Sequence, residues 1–166
     1  MKIISFSNID GIVKMVLKSD SSLLVNHKPF FFFFLSNDIR MTPCVVLRVS
    51  RLGTNIKANF AHRYYDAVAL GLNIFAADYV ALGDSVHGWA FDYSLPLGKW
   101  IAINDNPWKD LIITMDEAIE HASQVMTIRQ GDMIAIDINV ESRKLDKEET
   151  ILVESNGEEL LYCKIK

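Results

Sequence analysis

The longest apolar stretches of this sequence are Phe30–Leu35 and Val68–Ala77, the second broken by Asn73. Segments of that length make strands, and neither approaches the roughly 20 residues that span a bilayer. The chain is therefore expected to bury short elements around one core, with no membrane partner. Its 166 residues, 50% of them hydrophobic, suit a single domain over residues 1–166. The net charge of −4 leaves no electrostatic footprint for a polyanion, so nucleic acid is excluded as a partner. Cys44 and Cys163 lie far apart with no CxxC and read as packed, reduced thiols. Met1–Phe6 has no long apolar stretch followed by small residues; it reads as a strand rather than a signal peptide, and the expected location is the cytoplasm.

Local patterns suggest an α+β chain that is mostly β. Lys2–Phe6 is β-rich, and Asn8–Gly11 opens a short helical pattern through Ile12, Met15, Val16 and Leu17. Phe30–Leu35 is apolar at every position, as in a strand buried on both faces. Val45–Val49 and Ala67–Phe75 read as strands, Lys57–Tyr65 as a helix, and Phe91–Ile101 as an edge segment bent by Pro96 and Gly98. Thr114 and Glu117 form a capping box that opens a helix with Met115, Ala118, Ile119, Ala122, Val125 and Met126 on one face. A turn at Gln130–Asp132 leads to the strand Met133–Val140. The pair Ile151–Glu154 and Leu160–Ile165, joined by Ser155-Asn156-Gly157, carries a hairpin signal, because Asn-Gly tolerates positive φ.

The residues alone point to no chemistry. The four histidines share no metal-ligand spacing, and no phosphate-binding loop or nucleophile elbow occurs. Asp78, Asp84 and Asp92 surround a turn-rich stretch with His87; they read as turn caps first and as a carboxylate metal site second.

Several segments, in order, resemble the fumarylacetoacetate hydrolase family. Val45–Arg51 and Asn73–Asp78 are similar to its core strands. Phe91–Ile101 resembles its "K-G-F-D-x-x-x-P-L-G-P-W-I" segment, and Asp116–Ile134 its helix with the "S-x-x-M-T-L-x-x-G-D-x-I" turn. Lys2–Ile4 and Pro29–Leu35 resemble its opening strand and its "F-x-K-P" strand. The resemblance implies a mixed β-roll or β-sandwich with two or three helices, and dimerisation. It also implies Mg²⁺ or Mn²⁺ held on two Glu and one Asp, acting on a 2-oxo acid or 1,3-dicarbonyl compound in hydrolysis, decarboxylation or isomerisation.

Position by position, the scaffold matches while the reagents do not. The paired glutamates fall on Thr42 and Cys44, and the metal-binding aspartate on Asn73. The lysine before "G-F-D" falls on Trp89, the histidine of the N-terminal motif on Ile12, and the lysine of "F-x-K-P" on Ser36. The pocket-lining "T-G-T-P" reads Ile136–Asn139, with Ile138 inside it. Neutral ligands supply no charge to compete with the hydration of a hard cation. The expectation is a degenerate, non-catalytic pseudoenzyme with no cofactor. It would act as a homodimer, as a heterodimer with an active homologue, or on a small ligand in a remnant pocket beside Trp89 and Phe91. The alternative is a Mg- or Mn-dependent hydrolase, decarboxylase or isomerase with ligands relocated to Asp78, Asp84 and Asp92.

Overall fold

A computed structural model describes residues 1–166. Its strands and helices are β1 (Ile3–Ile9), β2 (Ile12–Lys18), β3 (Leu23–Leu24), β4 (Ile39–Val49), α1 (Ala58–Ala61), β5 (Tyr65–Ala76), α2 (Ala77–Ala81), α3 (Ser85–Trp89), β6 (Leu95–Ile101), α4 (Met115–Val125), β7 (Met133–Asp137), β8 (Arg143–Lys144), β9 (Thr150–Ser155) and β10 (Glu158–Lys164). One sheet runs β2-β1-β7-β4-β5-β6-β3, with β8 paired to β4, and curls into a half-barrel. β9 and β10 form a separate hairpin. The architecture is the mostly-β α+β class expected, with four short helices rather than two or three. No helix is long and apolar enough to cross a membrane.

Strand alternation divides the core. Val45, Leu47 and Val49 of β4 join Val68 of β5 and Ile134 and Ile136 of β7 against α4, where Ala118, Ile119 and Ala122 are fully buried. Farther along the same face, Met41, Leu70, Leu72 and Ile74 pack under Leu161 and Cys163 of β10. Side chains at the intervening positions point to the other, inner face, where Ile3, Cys44, Val46 and Ala135 meet Leu95. The sheet is thus clothed outside by a helix and a hairpin, while its inner face closes on itself.

The α4 capping box forms as read, with Thr114 Oγ1 accepting from the Glu117 amide at 3.2 Å. Val125 falls off the buried face and is exposed. The β9–β10 hairpin turns at Asn156 and Gly157, both at positive φ. Both cysteines are free and buried.

Four expectations are corrected. Asn8–Leu17 is no helix: Asp10 (φ 53°) and Gly11 (φ 80°) make a two-residue turn, and β2 returns antiparallel along β1. Phe30–Leu35 is no buried strand. Phe30 alone is fully buried, bridging to Ile165, while Phe34 is 87% exposed: backbone pairing with the C-terminal segment stops at the Phe32 amide, which donates to Lys166 O at 3.1 Å. Within Lys57–Tyr65 only Ala58–Ala61 is helical, and β5 already starts at Tyr65. The strand expected over Met133–Val140 ends at Asp137: Ile138 still donates to Pro43 O at 2.9 Å, but Pro43 has no N–H to return the bond, and Ile138 also bridges Leu111.

Gly98 marks the closest approach of hairpin and sheet: a Cβ there would overlap the Leu160 carbonyl oxygen. Backbone cannot yield as a side chain does. Gly98→Ala is therefore expected to cost about 3 kcal/mol, read as a lower denaturant midpoint, whereas Gly131→Ala, with nothing within 4 Å, should show only its positive-φ strain.

Candidate functional site

The inner face carries polar residues at every second position, as the pleat requires. Ser5 and Ser7 stand on β1, Thr42 and Cys44 on β4, Asn73 on β5 and Asp137 on β7. Register brings them together: Thr42 lies opposite Asn73, and Cys44 opposite both Gly71 and Asp137. All six are buried.

Asn73 is the hub. Its Nδ2 donates to Asp137 Oδ1 (2.8 Å) and contacts Ser7 Oγ (2.7 Å) and Ser5 Oγ (3.0 Å). A carboxylate on one side fixes which end of the amide faces it, and Oδ1, turned away, has no partner. An orphaned buried acceptor costs about 1–3 kcal/mol. Burial pushes the Asp137 carboxyl up to about 7, against the opposing pull of Asn73 and Ser7. Burial also pushes the Cys44 thiol well up, and the Asp137 charge adds to that, so Cys44 stays protonated.

The one cation of the interior is Lys18, at the end of β2 and 4% exposed. Its Nζ donates to Ile74 O (2.8 Å), Trp89 O (3.0 Å), Ser94 Oγ (3.0 Å) and Ser94 O (3.3 Å). It also lies 5.6 Å from the Trp89 ring centroid and 5.9 Å from that of Phe91. No carboxylate touches it; Asp137 acts on it through space. Burial lowers its amine to about 7.

A cleft of about 470 Å³ opens beside this cluster, lined by Asn8, Arg40, Thr42, Asp137, Asn139 and Glu141 among others. Asp137 is thus shared between the buried network and the cleft floor. Arg40 at the rim is paired to Asp38 at 3.0 Å.

Of the positions singled out from sequence, Thr42, Cys44 and Asn73 converge. Ile12 is 60% exposed at the start of β2, past the turn. Ser36 donates to Asp78 Oδ1 at 2.6 Å. Ile138 packs between the two outer core clusters. Trp89 and Phe91 are buried in stacks with Phe75 and Phe33; the space beside Trp89 is a shallow cleft of about 150 Å³ with Lys14 and Asp84 on its walls. Asp78 also accepts from the Asn37 amide, Asp84 pairs with His87 Nδ1 at 2.7 Å, and Asp92 accepts from Ser21. No three His, Cys, Asp or Glu side chains gather as a metal would require. Sequence reasoning passed over Lys18, Ser5, Ser7 and Asp137. The alternation of Ile4, Ser5, Phe6 and Ser7 signalled a polar stripe, but nothing near Lys18 in sequence announced partners at residues 74, 89 and 94.

No family sequence model matches the chain, and no curated protein sequence matches it. Solved structures do. Fumarylpyruvate hydrolase from Pseudomonas aeruginosa, in complex with Mn²⁺ and pyruvate, is 13% identical, with a TM-score of 0.82 over 99% of this chain and 89% of that one. 5-Carboxymethyl-2-hydroxymuconate delta-isomerase from Mycobacterium smegmatis is 16% identical, with a TM-score of 0.82 over 99% and 78%. 2-Hydroxyhepta-2,4-diene-1,7-dioate isomerase from Mycobacterium marinum is 16% identical, with a TM-score of 0.83 over 99% and 73%. The chain has the fold of the fumarylacetoacetate hydrolase family enzymes, as its sequence segments suggested. At these identities the match establishes the fold alone.

The Lys18 amine generates a pH dependence whose sign is fixed. Its folded value lies below its unfolded one, so the unfolded chain binds the extra proton between about 7 and the ordinary lysine range, and stability rises with pH across that window. The unfolding free energy should climb by up to about 1.4 kcal/mol per pH unit between about pH 7 and about pH 8.5; above that, Cys44 and Cys163, whose thiols burial pushes up, ionise only in the unfolded chain and oppose the rise. Lys18→Met should flatten that limb in urea titrations.

Proposed function

We propose that this chain is a non-catalytic protein on the fumarylacetoacetate hydrolase fold, acting by association with a second copy or with an active homologue. The observation that carries the reading is the chemistry of the inner face. The three positions that correspond to a family metal triad are Thr42, Cys44 and Asn73, neutral side chains, with Cys44 held protonated and Asn73 committed to Asp137. The interior positive charge is instead the Lys18 ammonium, clasped by backbone carbonyls.

One structural neighbour is described with Mn²⁺ and pyruvate. The residues here do not fit such an ion. Asp137 is the only carboxylate of the cluster, and burial pushes it up to about 7, so even that one negative charge is only partly present near neutrality. A hard divalent ion needs several anionic oxygens to replace its hydration. A thiol is also too soft a donor for it.

A second reading has its own observation. The cleft over Asp137 and Thr42, with Arg40 at its rim, has room for a small organic acid. This would make the chain a binding module for such a ligand, without turnover.

Elemental analysis of the purified protein, together with thermal unfolding in added Mn²⁺ and Mg²⁺, tests the main reading. The expected result is substoichiometric metal and a midpoint moved by less than about 1 °C, since an ion that does not bind the native state cannot stabilise it. Metal near one equivalent, with a rise of several degrees, would overturn it.

A further inference from the structure

The two ends of the main sheet are treated differently. At one end β3 is only two residues long, which leaves little backbone to template another strand. At the other, β2 runs seven residues with no proline, and its pairing to β1 continues without a bulge from Ile3↔Lys18 to Ile9↔Ile12. α3 packs beside it, but outside the β1 ladder no backbone hydrogen bond reaches residues 12–18. Ile12, Val13 and Leu17 are 60%, 41% and 51% exposed. An uncovered apolar edge strand is a template for strand addition.

We infer that β2 pairs with β2 of a second copy, antiparallel about a two-fold axis at Met15. Ile9 and Ile12 close a two-residue turn and so form a hydrogen-bonded pair. Alternation from there directs the backbone groups of Lys14, Val16 and Lys18 toward β1, and those of Val13, Met15 and Leu17 outward. The outward set is self-complementary. An axis through Met15 sets Met15 against itself and Val13 against Leu17 of the copy, and each of these pairs exchanges both backbone hydrogen bonds.

Side chains agree with that register. Val13 and Leu17, both exposed, become direct cross-strand neighbours flanking Met15, which already leans on the outer core cluster. Lys14 faces Val16 of the copy, so no like charges stand opposite each other within the ladder. The result is one continuous sheet through two chains. The inference deepens the association reading proposed above and rests on it: it names the partner as a second copy and the surface as the β2 edge.

Sedimentation of the unaltered chain over a range of concentrations should show a dimer. Val13→Lys combined with Leu17→Lys sets lysine against lysine twice across the axis, and should weaken dimerisation by about 100-fold or more. Val13→Lys combined with Leu17→Glu sets opposite charges together, and should restore the dimer toward its original strength. Both positions are exposed, so far-ultraviolet circular dichroism of all three proteins should agree. Amide exchange gives a readout on the unaltered chain: the N–H groups of Val13, Met15 and Leu17 should be protected at dimer concentrations and lose protection on dilution. A dimer that persists in the Lys/Lys variant overturns the β2 surface and leaves association through another face. A chain that is monomeric throughout overturns self-pairing, with the homologue as the remaining partner. Protection of those three amides that does not follow concentration also overturns the inference. None of these outcomes bears on metal content, which decides the non-catalytic reading separately.

Discussion

An ammonium group taken out of water must be answered on every side, and much of the inner architecture answers Lys18. The carbonyls of Ile74, Trp89 and Ser94 turn toward it, the Ser94 hydroxyl adds a fourth oxygen, and the Trp89 and Phe91 rings flank it. Those oxygens come from β5, the end of α3 and the residue before β6. One side chain from β2 therefore ties together β5, α3 and the segment that leads into β6. Removing either the amine or its acceptors would leave buried polar groups unpaired, which costs more than the net worth of the bonds themselves.

The same inner face separates what the fold supplies from what its side chains supply. A curled sheet gathers alternate side chains from four strands into one small volume, whatever those side chains are. With acidic residues in that volume, mutual repulsion would call for a cation. With Thr42, Cys44, Asn73 and two serines, no such demand exists, and Asp137 is managed by hydrogen bonds from Asn73. Asn73 Oδ1 stays unpaired.

Legibility in the sequence followed the range of the interactions involved. The α4 helix and the β9–β10 hairpin were readable because their signals, a capping box and an Asn-Gly turn, are complete within a few residues. The β1–β2 hairpin was misread although Asp10-Gly11 is the same type of turn signal, since Ile12, Met15 and Val16 also satisfy a helical spacing. The phenylalanine run misled for a related reason: apolar character says a residue gains from burial, not that a strand is available to bury it. Thr42, Cys44 and Asn73 were located through the resemblance of flanking segments, and their convergence followed from the β4–β5 register. Lys18 could not be found that way, because its partners lie 56, 71 and 76 residues along the chain.

The sequence by itself determined a mostly-β chain with one well-capped helix, an apolar core and no polyanion-binding charge. These follow from periodicity, composition and local hydrogen bonding, which act within a few residues. The tertiary structure alone decided that Lys18 is the interior cation, that Asp137 floors a cleft while bonded to Asn73, and that β2 ends the sheet with its outer backbone groups free. Each of those depends on strand order and register, and the energy that sets register is summed over whole faces in contact, so no short stretch of sequence contains it.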